Sequence, residues 1–112
     1  MAASHAAGHV VDSPTRATIA DGLAVRVAIP YAVERIQPLV SSMVHVSERA
    51  MAHAIGSLAS AGIRVEASAA AALAGLEQLD APHEPVVLVL TGRNIDDALF
   101  ERACAAPDTF PD

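Results

Sequence analysis

The residues best suited to chemistry stand at the end of one apolar run, in the stretch VVLVLTGRNIDD at 86–97. Five apolar residues, three of them valines, lead directly into Thr91, Gly92, Arg93 and Asn94. A short run of this kind is typical of a strand that is buried on both faces. In open α/β sheets the carboxyl ends of parallel strands face the ligand crevice. The stretch therefore predicts a hydroxyl, a glycine and an amide at a binding edge.

The other reactive side chains form no comparable pattern. The histidines, at positions 5, 9, 45, 53 and 83, lack the paired spacing of a metal site, so we expect structural or surface roles and no bound metal. Cys104 lies in the pattern of the terminal helix, and the sequence does not support a Cys–His nucleophile pair that includes it. Asp96, Asp97 and Glu101 gather at the start of the last predicted helix. They could do acid–base work, but complementing the helix dipole on a solvated face is the interpretation we favour.

Alternating strand and helix patterns must position these candidates. Strand patterns occupy the end of 18–29, after an Asp-Gly turn, and then 43–46, 63–65 and 86–90. Helix patterns cover Pro30–Gln37, the stretch from Ser47 as N-cap to Gly62, an alanine-rich stretch after Glu66, and about Ile95 to Ala105. The alternation predicts an α/β fold with a small, mostly parallel sheet.

The same pass along the chain predicts its domain organisation. Residues 1–17 show no periodicity and are expected to form a flexible, poorly ordered arm. Residues 18–105 form one domain, with a two-proline loop at 80–85, and residues 106–112 form a frayed tail.

Composition narrows the class of protein. The chain has 112 residues and a net charge of −6, and its basic residues are scattered arginines with no lysine, which argues against nucleic-acid binding. Its apolar runs are too short to cross a membrane, and its N-terminus lacks the features of a signal peptide. The single cysteine permits no internal disulfide, which fits a cytoplasmic protein. A core rich in alanine predicts marginal stability for the isolated chain.

Three stretches carry a resemblance to a known family: TIADGLAV at 18–25, VEASAAAALAGL at 65–76 and VVLVLTGRNID at 86–96. Their order and spacing resemble the C-terminal part of fold-type II pyridoxal-phosphate enzymes, closest to threonine/serine dehydratases and serine racemases. Those enzymes show a T-I-A-D-G-x-A-like turn, a V-E-P-S-G-A-like helix start and a strand reading V-L-S-G-G-N. The intervening LVSSMVHVSERAM at 39–51 is similar to that family's L-V-D-D-hydrophobic-x-V-S-E segment. The resemblance covers about residues 16–104 and implies a fragment of the family's three-layer α/β large domain.

The resemblance implies a role for the hydroxyl and its neighbours. Thr91 takes the position whose hydroxyl hydrogen-bonds the pyridine nitrogen of the cofactor, pyridoxal phosphate. A hydroxyl there suits the elimination chemistry of dehydratases. Gly92 would let the backbone approach the ring, and Asn94 would fix the turn. The structural alternative for Thr91, a cap on the last helix, is compatible with the first role.

Three further residues match the family at the cofactor cleft. Glu66 matches a glutamate near the cofactor, and its alternative is an exposed acid at a helix start. Asp21 and Gly22 match the turn that lines the cleft, and a plain Asp-Gly turn is the alternative for Asp21. Arg93 and Ala67 depart from the family's glycine and proline.

The family's Schiff-base lysine and glycine-rich phosphate cradle lie upstream of the matching region, and this sequence has no lysine. The chain is therefore expected to have no catalytic residue of its own and no activity alone. One interpretation is the C-terminal portion of a lyase acting on small hydroxy amino acids, which completes its site with an N-terminal half or another copy. The other is a non-catalytic α/β remnant that serves as an oligomerisation or partner-binding module.

Overall fold

The computed structural model describes residues 1–14, 17–80 and 84–112. Arg16, His83 and the middle of the predicted loop 80–85 lie outside the described residues. The helices are α1 (Ala2–Ala7), α2 (Pro30–Ile36), α3 (Glu48–Ser60), α4 (Ala67–Leu76) and α5 (Asp97–Ala105). Two 3-10 turns span Asp21–Leu23 and Pro107–Thr109. The chain divides into two compact units, the first made of Met1–Ala17 and Gly22–Val44, the second of Thr18–Asp21 and His45–Asp112.

The first unit is built on α1 and α2. His5 Nε2 lies 3.0 Å from the carbonyl oxygen of Val40, and the Gln37 amide donates to the carbonyl oxygen of His5. An isolated antiparallel bridge pairs Asp12 with Val27. The two hydrogen bonds of His5 tie the first helix to the end of the second.

The start of the chain differs from the irregular arm expected for residues 1–17. It forms α1, and Ser4 within that helix is buried, its hydroxyl accepting a hydrogen bond from the Val11 amide at 3.0 Å. The small residues of this stretch show no apolar residues at helical spacing, so the sequence pattern did not indicate a helix. Alanine nevertheless has the highest helix propensity of all residues. The flexibility of the arm and the domain boundaries at 17 and 105 stay predictions.

The second unit packs α4, α5 and the 3-10 turn Pro107–Thr109 against α3. Small side chains dominate its core, so the helices approach closely; a Cβ added to Gly56 on α3 would lie 3.8 Å from the carbonyl oxygen of Ala103 on α5. The buried core residues are Ala20, Met51, Ala52, Ala54, Ile55, Leu58, Val65, Ala67, Ala69, Ala70, Ala74, Ala103 and Phe110. This alanine-rich core agrees with the sequence expectation.

Both predicted ends of the helix between Ser47 and Gly62 are confirmed. Ser47 caps α3, its hydroxyl accepting from the Ala50 amide at 3.1 Å. Gly62 follows α3 with φ of 78°, a left-handed conformation that glycine adopts without strain. The last helix begins at Asp97 rather than at about Ile95, because Asp96 acts as N-cap and accepts from two amides of the first turn.

The parallel sheet expected from the sequence is not formed by the described residues. The predicted strands at 43–46, 63–65 and 86–90 run without a ladder, and the alternating stretch up to residue 29 contributes only to the isolated antiparallel bridge. β-branched residues favour an extended, pleated backbone, but a ladder also needs a neighbouring strand, which these residues do not supply. One hydrogen bond, from the Glu66 amide to the carbonyl oxygen of Gly92 at 3.1 Å, links the ends of two of these segments.

The expectation of a frayed tail at 106–112 is wrong. Phe110 is only 2% exposed and belongs to the core of the second unit. The Arg102 guanidinium lies 4.0 Å from the centre of the Phe110 ring, and Arg49 Nε donates to the carbonyl oxygen of Phe110 at 3.1 Å. A large aromatic ring fills space that alanines leave open, which outweighs the usual fraying of a chain end.

Candidate functional site

Glu66 and Gly92 are the two predicted site residues that the structure brings into direct contact. Besides the 3.1 Å backbone hydrogen bond, a Cβ added to Gly92 would lie 2.6 Å from both Cδ and Oε1 of Glu66 and 2.8 Å from Oε2. The Glu66 carboxyl group therefore occupies the space that any side chain at 92 would need. Gly92 is outside the left-handed region of φ, so close approach, and not backbone conformation, is what requires glycine there.

The Glu66 carboxylate is half-buried at the start of α4. Glu66 is the N-cap residue of this helix, but its side chain makes no capping hydrogen bond. Within the part of the chain that the structure describes, the carboxylate has no hydrogen-bond or ion-pair partner. The alternative of a helix-start acid is right about its place, but the side chain lies against Gly92 instead of projecting freely. Two residues later, the hydroxyl oxygen of Ser68 is buried without a hydrogen bond.

Thr91 stands at the exposed end of the segment that leads to Gly92. Leu90 before it packs against the core of the second unit, whereas Thr91 itself faces solvent. Its hydroxyl forms no hydrogen bond with any described residue. Asp96, and not Thr91, caps α5, so the capping alternative for Thr91 is not what the structure shows.

Asn94 and Arg93 are exposed beyond Gly92. The turn into α5 is closed by a hydrogen bond from the Ile95 amide to the carbonyl oxygen of Arg93 at 3.1 Å. Among the described residues the Asn94 side chain makes no hydrogen bond. The expected fixing of the turn by Asn94 is thus carried by the backbone and by the Asp96 cap.

Arg64 holds the two segments of this site together and was missed in the sequence. It donates to the carbonyl oxygen of Ile95 at 3.2 Å and to Asp97 Oδ1 at 2.5 Å. Its guanidinium also lies 4.3 Å from the centre of the Phe100 ring. The signal in the sequence was an arginine two residues before Glu66, but only the fold shows that its partners follow Gly92.

Asp21 and Gly22 open the 3-10 turn Asp21–Leu23, and both are exposed. Asp21 closes the segment Thr18–Asp21 of the second unit, and Gly22 begins the next stretch of the first. That segment is held by Glu48, whose carboxylate accepts from the Thr18 hydroxyl and the Ile19 amide. Glu48 is also the first residue of α3, where an acid complements the helix dipole.

The chemistry offered by the Glu66–Gly92 contact and Thr91, the candidate site, is that of a carboxylate and a hydroxyl without an amine. The sequence contains no lysine. Among the described residues no group of three or more His, Cys, Asp or Glu could hold a metal ion. No described helix is both long and apolar enough to cross a membrane. The site can accept and donate hydrogen bonds to a ligand, but it offers no amine for a covalent link to an aldehyde.

Comparison with known proteins adds one result. Residues 1–92 match the family described as pyridoxal-phosphate dependent enzymes. No curated protein and no solved structure matches the chain significantly. The match spans most of the sequence and includes the turn at Asp21, the helix start at Glu66 and the strand pattern ending at Gly92. The chain therefore belongs to the pyridoxal-phosphate dependent enzymes.

Proposed function

We propose that this chain is the C-terminal portion of a pyridoxal-phosphate dependent threonine/serine dehydratase-like ammonia-lyase. Its part in the enzyme is the wall that binds the pyridine nitrogen of the cofactor. The observation that carries the proposal is the Thr91 hydroxyl, exposed and without a partner among the described residues, directly before the Glu66–Gly92 contact. Family membership supports the cofactor, and the ordered motifs at 18–25, 65–76 and 86–96 support the subtype.

The residues present fit one side of the cofactor. Thr91 supplies a hydroxyl donor for a ring nitrogen, and the glycine at 92 leaves room for the Glu66 carboxylate beside it. Without a lysine, the chain does not supply the covalent anchor. Bound pyridoxal phosphate supplies an electron sink for the substrate's α-carbon.

Thr91 sets the kind of reaction in this proposal. Its hydroxyl donates a hydrogen bond to an acceptor nitrogen and, unlike a carboxylate, does not hold a proton on that nitrogen. The weaker electron withdrawal that results favours prompt loss of a β-leaving group over a long-lived carbanion. A small hydroxy amino acid such as serine or threonine is the substrate class that this chemistry suits.

The missing amine requires a partner. We place it on a lysine-bearing N-terminal half of the same enzyme, with a second copy of the chain as a further component of the assembly. The cytoplasm is the compartment that the single cysteine favours.

The test compares Thr91 variants in the 112-residue chain mixed with the lysine-bearing N-terminal half of the same enzyme and with pyridoxal phosphate. Thr91→Ser keeps the donor and should retain most pyruvate or 2-oxobutyrate formation. Thr91→Ala leaves a buried ring nitrogen without its donor, which costs on the order of 1–3 kcal/mol, so cofactor affinity should fall by roughly tenfold to a hundredfold. Thr91→Asp should keep binding but shift product partition away from elimination.

The matched control is Ser57→Ala, which removes another exposed hydroxyl of the second unit, on α3. It should leave affinity and activity at the parent level. If Thr91→Ala behaves like Ser57→Ala, Thr91 does not bind the ring. If the parent mixture neither binds the cofactor nor forms product, the enzymatic proposal fails and the non-catalytic module takes its place.

A further inference from the structure

Four consecutive residues, Thr18–Asp21, belong to the second unit although the chain on both sides of them belongs to the first. Ala20 is buried in the core of the second unit, and Ile19 packs against that core. The segment ends at Asp21, the residue that matches the turn of the cofactor cleft. What holds this segment therefore contributes to where Asp21 lies.

One carboxylate holds the segment by two hydrogen bonds. The Thr18 hydroxyl donates to Glu48 Oε1 at 2.5 Å, and the Ile19 amide donates to Glu48 Oε2 at 2.8 Å. The Ala20 amide in turn donates to the Thr18 hydroxyl oxygen at 3.0 Å. Each oxygen of the carboxylate takes one donor, so the chain of bonds runs from α3 through three successive residues of the segment.

These bonds constrain the backbone itself. A hydrogen bond from a main-chain amide to an ionised carboxylate is charge-assisted and stronger than a neutral one, and both bonds here are partly buried. Glu48 is not needed as the cap of α3, because Ser47 does that. Its carboxylate is thus free to serve the segment 30 residues before it.

We propose that Glu48 is a positioning residue of the candidate cofactor site: its carboxylate fixes Thr18–Asp21 on α3 and so sets the position of Asp21. The purpose assigned to Asp21 rests on the proposed function. The fixing of the segment by Glu48 does not, so the two can be tested apart.

The first measurement is amide hydrogen exchange by NMR in the full chain, with the Ile55 amide in the middle of α3 as the internal reference. Glu48→Ala removes both acceptors, so the Ile19 amide should exchange at least about tenfold faster relative to Ile55. Glu48→Gln keeps one acceptor oxygen and should give an intermediate rate. Thr18→Val keeps the carboxylate beside the α3 dipole and should accelerate Ala20 in particular.

The control is Glu101→Ala on α5, an exposed glutamate that makes no hydrogen bond or ion pair with the described residues. It should leave the ratio of Ile19 to Ile55 exchange unchanged. If Glu48→Ala accelerates Ile19 and Ile55 equally, Glu48 contributes only general stability, and the proposal is overturned.

The second measurement is the pyridoxal phosphate affinity of the same variants, with the lysine-bearing portion supplied. Weaker binding in Glu48→Ala, partly restored in Glu48→Gln, supports the positioning role. Parent-level binding in Glu48→Ala while Thr91→Ala binds weakly would show that the fixed segment does not serve the site. If no protein of the set binds the cofactor, the proposed function fails, and the exchange data alone decide whether Glu48 fixes the segment.

Discussion

The contact of Glu66 with Gly92 gives position 92 a requirement that is local and testable. The glycine conformation is open to other residues, but the space above its Cα is filled by a carboxyl group. That group is the far end of a flexible side chain, so it can swing away from an added methyl. The expected response to a substitution is displacement of Glu66, and not unfolding.

Gly92→Ala should therefore change stability little while moving the Glu66 carboxylate. Replacing glycine by alanine at a compatible φ stabilises by about 0.4–1 kcal/mol through the unfolded chain, and moving Glu66 offsets that gain. In a Glu66→Ala background the offset is gone, and Gly92→Ala should be stabilising. Urea unfolding of the four proteins of this cycle, with the Glu66 side-chain carboxyl NMR signal, measures both effects.

Gly56→Ala is the control for this cycle, because its new Cβ meets only ordinary contacts of 3.8 Å and 3.9 Å. It should be neutral or stabilising in either background. A Gly92→Ala effect that is the same with and without Glu66 would contradict the steric account.

The absence of lysine makes a second prediction at the residue scale. The chain alone, incubated with pyridoxal phosphate and reduced with borohydride, should show no stoichiometric adduct within its folded region, because no side-chain amine is present. Intact mass and peptide mapping check this, and labelling of the α-amino terminus does not count. A stoichiometric adduct on any side chain would refute the prediction.

At the scale of elements, the ends of the helices are set by single polar side chains and glycines. Asp96 caps α5 by accepting from the Ala98 amide at 3.0 Å and the Leu99 amide at 3.1 Å. The segment that carries Thr91 and Gly92 runs directly into this cap. Stability of α5 and the geometry of the candidate site are therefore linked through Asp96.

Asp96→Ala should lower the free energy of unfolding by about 1 kcal/mol, because two amides of the first turn lose their acceptor. Asp96→Ser keeps a capping oxygen and should recover most of the loss. Asp97→Ala is a useful comparison, since it removes an exposed ion pair with Arg64 and a first-turn acid but no cap, and should cost less. Denaturant unfolding measures all three, and equal losses for Ala and Ser at position 96 would argue against the cap.

Helices α2 to α5 were predictable from the sequence, whereas α1 and the absence of a sheet among the described residues were not. Ser47, Gly62 and the proline at 30 act on residues within one turn of themselves, so local patterns identify them. A strand such as 86–90 needs a partner elsewhere in the chain, and its valines do not say whether one is present. The contact of Glu66 with Gly92 and the docking of Phe110 depend on the same kind of distant pairing.

At the scale of the whole molecule, the second unit exposes an extended apolar segment. Val87 is 86% and Val89 69% exposed, and among the described residues no backbone hydrogen bond is made by 84–91. Unpaired, β-branched segments of this kind favour association with another chain. An alanine-rich core adds little stability to oppose it.

We accordingly expect the isolated chain to self-associate or to have a low melting temperature. Val87→Lys together with Val89→Lys should reduce the associated fraction in light scattering, because charges on an edge oppose pairing. Leu39→Lys, at an exposed apolar residue of the first unit, is the comparison and should have less effect. A monodisperse parent with a high, cooperative melting temperature would contradict this expectation.

The assignment of Thr18–Asp21 to the second unit has a consequence for synthesis of the chain. The segment is translated before Glu48, its anchor; at about 5–20 residues per second the interval is roughly 2–6 s. Throughout that time Ile19 and Ala20 lack the surface that later buries them. The first unit's sequence is thus interrupted by a stretch whose anchor is made later, and a nascent chain stalled before residue 48 cannot dock it.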